Sequence, residues 1–375
     1  MIIKGEKEMN NRTRFLNLLD GKPVDRMPAV HFGYWRELLI DWANEGHISH
    51  KIATRANDSN NYDRQLDEIL GWDFCYGLRC SAINGLLPPF PKKKIEVRAD
   101  GTLIRSHLGV IELHKEGTNG IPAEIDYLLK DRESYEKYYK DKIKYKKTRN
   151  FGDRFLYFMA NKENPVGFFV GSSLGTIRSM CTLIGLSYLM YDDIELTAEI
   201  VDDWNNMQYE CLKTNLEKGF KYDFLHLWED MCFNNGPLVA PDKYYELCFK
   251  HYKRIADLAH QYGIKYISLD CDGDFRLLAR MWEEAGINVM FPIEYGTWEL
   301  DITKVREVAP TLYGIGGMNK NVLAKDEAAV DKEIERLKPL VKLGGYIPCP
   351  DHRLPQGTKF ELVKYYITKI KKILE

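Results

Sequence analysis

The chain has 375 residues, 45% of them hydrophobic, 12% aromatic and 29% charged, which provides apolar surface for a large core and excludes a disordered polymer. Its 53 basic and 55 acidic residues nearly cancel, and the densest basic stretches, Lys92–Lys94 and Lys142–Arg149, are short and lie beside acids, so no nucleic-acid partner is expected. The start, Met1–Asn11, is polar, no segment approaches the roughly 18 apolar residues of a membrane span, and the eight cysteines show neither CxxC pairs nor scaffold spacing. The expectation is a cytoplasmic protein away from membranes, with reduced, buried thiols.

In chain order, Asn11–Leu19 reads as a helix that leads through Gly21-Lys22-Pro23 into a strand at Met27–Phe32. Residues 95–128 differ: Ile95–Arg98, Thr102–Ser106 and Val110–His114 alternate around turns at Asp100–Gly101 and Leu108–Gly109, predicting an antiparallel hairpin insertion outside the barrel wall, over its mouth. From residue 165 onward, strands at Val166–Gly171, Phe224–Glu229, Lys265–Asp272, Asn288–Glu294, Leu312–Gly316 and Gly345–Cys349 alternate with helices. The helices are Ile194–Lys218, Pro241–Tyr262, Phe275–Ala285, Asp326–Leu343 and Phe360–Leu374. This is the pattern of parallel βαβ units in an α/β protein, a (β/α)8 TIM barrel forming one domain over residues 1–375. One strand is hard to place between residues 63 and 90, and alternation alone leaves a doubly wound open sheet as the alternative.

Barrel chemistry sits at the carboxyl ends of the strands. On Lys265–Asp272 the period of two sends Ile267, Leu269 and Cys271 to one face and Ser268, Asp270 and Asp272 to the other, inward. Glu294 ends the next strand and Asp351-His352-Arg353 follows the last, so Asp270, Asp272, Glu294 and His352 form a candidate oxygen/nitrogen site for zinc or another borderline divalent ion. The plainer reading is an acid that caps the next helix, with Asp274 the better cap, and a histidine paired with a carboxylate. Glu229 and Asp230 end another strand, followed by Cys232 and Asn234; alternation lets one acid face the pocket, and an acid that pairs with an arginine or caps a helix is the competing role. His31-Phe-Gly-Tyr34-Trp35 offers aromatic lining for a flat ligand or ordinary core packing. Gly314-Ile-Gly-Gly-Met-Asn319 resembles a phosphate-binding turn but lacks a basic residue to sharpen it. No GxSxG, P-loop, HExxH or Rossmann fingerprint supports hydrolase or dehydrogenase chemistry.

Several segments carry a family likeness: Asn11-Arg-Thr-Arg-Phe-Leu with Gly21-Lys-Pro-Val-Asp-Arg-Met-Pro28, Asn235-Gly-Pro-Leu-Val-Ala-Pro241, Asp270-Cys-Asp-Gly-Asp274, Glu284-Ala-Gly-Ile-Asn288, and Gly344-Gly-Tyr-Ile with Asp351-His-Arg-Leu-Pro355. Together they resemble the uroporphyrinogen decarboxylase superfamily over nearly the whole chain. True decarboxylases of that family carry an arginine-rich loop after the first strand that grips substrate carboxylates; here His31-Phe-Gly-Tyr-Trp-Arg36-Glu holds one arginine. The family's corrinoid-linked methyltransferases hold zinc through a His-x-Cys pair and a later Cys. Here Asp270-x-Asp272 stands in place of the pair, Glu294 at a position similar to an additional Glu, and His352 near the final Cys. Loss of the thiolates argues against a thiol acceptor and for polarising an ether oxygen.

The resemblance therefore implies methyl transfer from a small methoxylated, aromatic donor to the cob(I)alamin of a separate corrinoid protein, with Glu229, Asp272 and His352 catalytic. His31, Tyr34, Trp35, Asn234 and Arg353 would bind substrate, and a homodimer is compatible with the sequence. The alternatives are a decarboxylase of a tetrapyrrole or other carboxylic acid, and a non-catalytic ligand-binding barrel.

Overall fold

In the computed structural model residues 8–77, 79–115, 122–151 and 163–375 are described. The first residues of the polar start and residues 116–121 of the predicted insertion lie outside them. The strands in chain order are β1 (Val30–His31), β2 (Phe74–Cys75), β3 (Arg79–Ser81), β4 (Lys93–Arg98), β5 (Gly101–Arg105), β6 (Val110–His114), β7 (Ala123–Tyr127) and β8 (Gly167–Gly171). They continue with β9 (Phe224–Trp228), β10 (Cys232–Phe233), β11 (Gly236–Pro237), β12 (Tyr266–Asp270), β13 (Val289–Ile293), β14 (Tyr313–Met318) and β15 (Tyr346–Pro350). β1 pairs in parallel with β2, and β3, β8, β9, β12, β13, β14 and β15 are hydrogen-bonded in that order, all parallel. Tyr34 bridges in parallel to Leu354, with the Leu354 N–H on Gly33 O at 3.1 Å and the Trp35 N–H on Leu354 O at 3.0 Å. These bonds join the first strand to the last, so the sheet is a closed (β/α)8 barrel rather than an open one. The strand missing from the sequence reading is β2 with β3, two fragments too short to display a period.

The barrel interior is packed, not hollow. Helix Asn11–Leu19 pushes Phe15 into its amino end, where the ring meets Phe74 at 6.0 Å and Phe224 at 5.9 Å. Above it Phe291 contacts Tyr76 at 4.6 Å and Phe32 at 4.5 Å. Arg14, wholly buried, anchors the helix through a two-pronged pair with Asp25 at 2.7 and 2.8 Å. Aromatic filling from below leaves the carboxyl ends of the strands as the open face. On the outside, Pro241 begins its helix and Gly286 ends Arg276–Ala285 at φ 103°, as their positions in the sequence require.

The insertion has four antiparallel strands, β4 to β7, where a hairpin was expected. It packs on helix Gly175–Asp192 so closely that a Cβ at Gly185 would stand 2.6 Å from the Tyr127 ring. That helix was not foreseen, because its apolar residues surround the axis and Thr182 breaks it at φ 63°. All eight cysteines are free and buried. No helix among the described residues is long and apolar enough to cross a membrane.

Candidate active site

Strand alternation assembles the central group. Along β12, Tyr266, Ser268 and Asp270 face the barrel axis while Ile267 and Leu269 pack outward, followed by Cys271. Asp230, just past β9, turns toward the same point with φ 46°, a conformation aspartate tolerates better than most residues. Carboxylate oxygens of Asp230, Asp270 and Asp272 then lie within 4.8 Å of one another. Burial, and next the neighbouring carboxylates, push Asp270 well above the usual carboxylate range; burial and the Asp272 charge raise Asp230 to about 7. Such a cluster cannot be fully ionised without help, so it holds protons or a cation.

Directly beneath it lies His226, a residue not singled out from the sequence, although its parity with Phe224 on β9 marks it as inward. The imidazole is wholly buried, its Nδ1 is 2.5 Å from Ser268 Oγ, and its Nε2 has no hydrogen-bond partner among the described residues and stands 3.7 Å from Asp270 Oδ2. Burial and the Arg79 charge hold it well below the usual histidine range, so it is neutral. Its Nε2 edge faces the acids. On the other side His352 Nε2 is 3.4 Å from Asp272 Oδ2, and the His352 ring stacks on half-exposed Trp35 at 6.2 Å. Asp270, Asp272, His352 and Trp35 are thus brought together as the sequence suggested, with Asp230 added.

A buried acid with a raised folded-state pKa is stable protonated and costs stability as pH climbs from its unfolded value near 4 through about 7. Asp230→Asn is therefore expected to raise the melting temperature by a few degrees at pH 8 and to leave it unchanged at pH 4, by thermal unfolding at both pH values.

Other predicted residues are placed elsewhere. Glu229 is fully buried and its carboxylate accepts the backbone N–H groups of Ser173, Leu174 and Gly175, the latter two at 3.1 and 3.0 Å. It caps the start of helix Gly175–Asp192 and does not reach the mouth, so the catalytic role expected for it is corrected to a structural one. Contact is so tight that a Cβ on Gly175 would fall 2.1 Å from Glu229 O. Glu294 accepts from Gly273 N–H at 2.9 Å and Trp298 Nε1–H at 2.7 Å through one oxygen, beside the cluster; burial and the Asp272 charge raise it.

His31 is fully buried, bonded to Asp67 at 2.7 Å and accepting the Gly33 N–H on Nδ1, and its ring packs on Tyr34 and Trp72. It and Tyr34 are core packing behind the mouth, not open lining. Asn234 is exposed at the β10–β11 turn. Arg353 is committed to Asp58 through both terminal nitrogens. Asp274 stands one residue before the N-cap position, which Phe275 occupies, and its carboxylate accepts the first helical N–H, that of Arg276, at 3.2 Å as well as the Arg276 guanidinium. Residues 314–318, read as part of a phosphate-binding turn, lie within strand β14 itself, and beside its end fully buried Asp351 accepts Gly296 N–H at 2.5 Å and Lys320 N–H and Nζ at 3.2 Å.

A cavity of about 310 Å3 opens at the ends of β8 and β9, walled by Phe169, Trp228, Leu86 and Thr176, and roofed by His107 and Leu108 of the insertion. The insertion therefore borders the cavity at the ends of β8 and β9.

The sequence profile of the uroporphyrinogen decarboxylase (URO-D) family matches residues 128–373. A methyltransferase from Methanosarcina mazei has the same fold, with a TM-score of 0.64 at 13% identity over 98% of this chain and 100% of that one. A Listeria monocytogenes protein provisionally assigned as a vitamin-B12-independent methionine synthase aligns at a TM-score of 0.42 and 12% identity, covering 98% and 99% of the two chains. No curated protein sequence matches. The profile covers β8 through β15, the strands that carry Asp230, Asp270 and Asp272, and the chain accordingly belongs to the uroporphyrinogen decarboxylase family.

Proposed function

We propose that the chain is a methyltransferase that moves a methyl group from a small methoxylated, aromatic donor to the cob(I)alamin of a partner corrinoid protein in the cytoplasm. The observation that carries the reading is the proton-holding Asp230–Asp270–Asp272 group at the mouth of an aromatic-lined barrel. An ether gives up its methyl group only if the departing oxygen is protonated or polarised, because an alkoxide is a poor leaving group. A buried carboxylic acid that stays protonated near neutral pH supplies that proton, and Trp228, Phe169 and Trp35 offer flat surfaces for a ring. The fold shared with a protein named a methyltransferase is consistent with this.

Decarboxylation of uroporphyrinogen is the competing reading, and two of the arginines nearby are unavailable for it. Arg36 is spent on the carbonyls of Ala53 and Ala56 at 2.5 and 2.9 Å, and Arg353 on Asp58. Neither can neutralise a polycarboxylate. Anaerobic incubation with uroporphyrinogen III is expected to give no coproporphyrinogen by chromatography, whereas a trideuteromethyl ether given with cob(I)alamin should pass its label to the corrinoid by mass spectrometry.

The donor set fits a metal. Asp230, Asp270 and Asp272 would hold a zinc-like ion, with unpartnered His226 Nε2, His352 and Glu294 around them. Bound there, the ion would take the place of the protons on these carboxylates and would supply Lewis-acid polarisation of the ether oxygen in place of proton donation. Desalted protein reconstituted with zinc should retain about one ion per chain by elemental analysis, and Asp270→Ala or Asp272→Ala should retain none.

A further inference from the structure

His352 meets Asp272 from residues 351–355, a run of bends past β15 whose link to the first strand is the single Leu354 bridge. Both ends of this turn are pinned: Asp351 holds Gly296 and Lys320, and Leu354 is bonded to Gly33 and Trp35. Between them Arg353 reaches back to Asp58, which stands between helices His50–Arg55 and Asn61–Leu70, with Nη1 on Oδ1 at 2.7 Å and Nη2 on Oδ2. The guanidinium lies 5.3 Å from the centre of the Phe32 ring, and the His352 ring meets the same Phe32 edge-on at 5.3 Å. Glycine at position 33 makes room for the pair: a Cβ there would stand 2.6 Å from Arg353 Nη1 and 2.8 Å from Asp58 Oδ1. Two parallel hydrogen bonds fix the orientation of a guanidinium as well as its position. Beside the pair lies a cavity of about 180 Å3 lined by Trp35, Asp58, Asp63 and Arg353, so an Arg353 released from Asp58 has space to turn into.

We propose that Asp58 is a positioning residue of the mouth: by holding Arg353 it fixes the backbone of the 351–355 turn and so keeps the neighbouring His352 imidazole against Asp272 and Trp35. Asp351 and Leu354 set the path of the turn, and the Arg353 pair sets the rotation of the chain between them, which decides where the His352 ring points. Asp58 itself touches no reacting atom. Its effect on turnover rests on the methyl-transfer reading; its effect on the His352 ring does not.

Carbethoxylation of the metal-free whole chain by diethyl pyrocarbonate, followed at each histidine by peptide mass spectrometry, tests the placement without donor or corrinoid. Asp58→Ala is expected to raise the labelling rate of His352 about threefold or more, because its ring leaves Asp272 and the Trp35 face, while His114 on the insertion and His260 on helix Pro241–Gln261 keep their wild-type rates. Arg353→Gln removes the same pair from the other side and should give the same result, so one folded variant of the two suffices. In turnover Asp58→Ala should lower kcat about tenfold and leave KM for the donor within about threefold. His352 labelled at the wild-type rate in a folded variant, all histidines labelled faster together, or a raised KM with unchanged kcat would each overturn the proposal. Selective labelling of His352 as expected, in a protein whose wild type transfers no methyl group, would uphold Asp58 and count against the proposed reaction instead.

Discussion

Replacing Asp270 by Asn is expected to lower kcat for methyl transfer by about 10²- to 10⁴-fold while leaving donor affinity within a few-fold. The substitution keeps the size and the inward direction of the side chain but removes the transferable proton. Asp270 is the acid most displaced toward the protonated form, buried beneath the mouth with Asp230 and Asp272 on one side and the His226 Nε2 at 3.7 Å on the other. The interaction it provides strengthens only as charge develops on the departing oxygen, so the loss falls on kcat. For the metal-free protein the pH profile should agree: a reaction that needs the protonated cluster runs at low pH and is lost as pH rises through about 7, where Asp230 titrates. Steady-state kinetics of wild type and variant between pH 5 and 9 provide the check; an Asp270→Asn variant with wild-type kcat would remove the acid from the mechanism.

Glu229 behaves differently. Glu229→Ala is expected to destabilise the protein by about 3–5 kcal/mol, because it leaves a buried cavity and strips the partner from the amides of Ser173, Leu174 and Gly175. Glu229→Gln keeps one accepting oxygen but turns an NH2 group toward those amides, and should cost about half as much. Chemical denaturation measures both. If Glu229 were a catalytic acid, Glu229→Gln would unfold like wild type and fail only in turnover.

The contrast between these neighbouring acids shows where the sequence was legible. The alternation in Lys265–Asp272 placed Asp270 and Asp272 inward correctly, since a strand buried on both faces leaves its polar residues only the axis. The same alternation said that Glu229 and Asp230 face opposite ways without saying which faces the pocket; that depends on helix Gly175–Asp192 arriving beside β9, a long-range event with no local signature. His31 looked like pocket lining, but its partner Asp67 comes from helix Asn61–Leu70, whose Asp63 and Asp67 are spaced to share a buried face. Arg79 could not be weighed at all, because its strand has only three residues. The parallel βαβ order was readable from the rhythm of strands and helices; closure was not, and rests on the Tyr34–Leu354 bridge between segments far apart in the chain.

The central claim is methyl transfer from an ether at the acid cluster, and the absorbance of the corrinoid reports it most directly. Under anaerobic conditions, with a corrinoid protein reduced to cob(I)alamin, the chain is predicted to produce the methylcobalamin spectrum with one or more methoxylated aromatic donors, and Asp270→Asn is predicted to produce it at least about a hundredfold more slowly. Formation of methylcobalamin from methylamines or methyl thioethers alone would contradict the ether. No methylcobalamin from any donor with a competent corrinoid partner would contradict the methyltransferase itself.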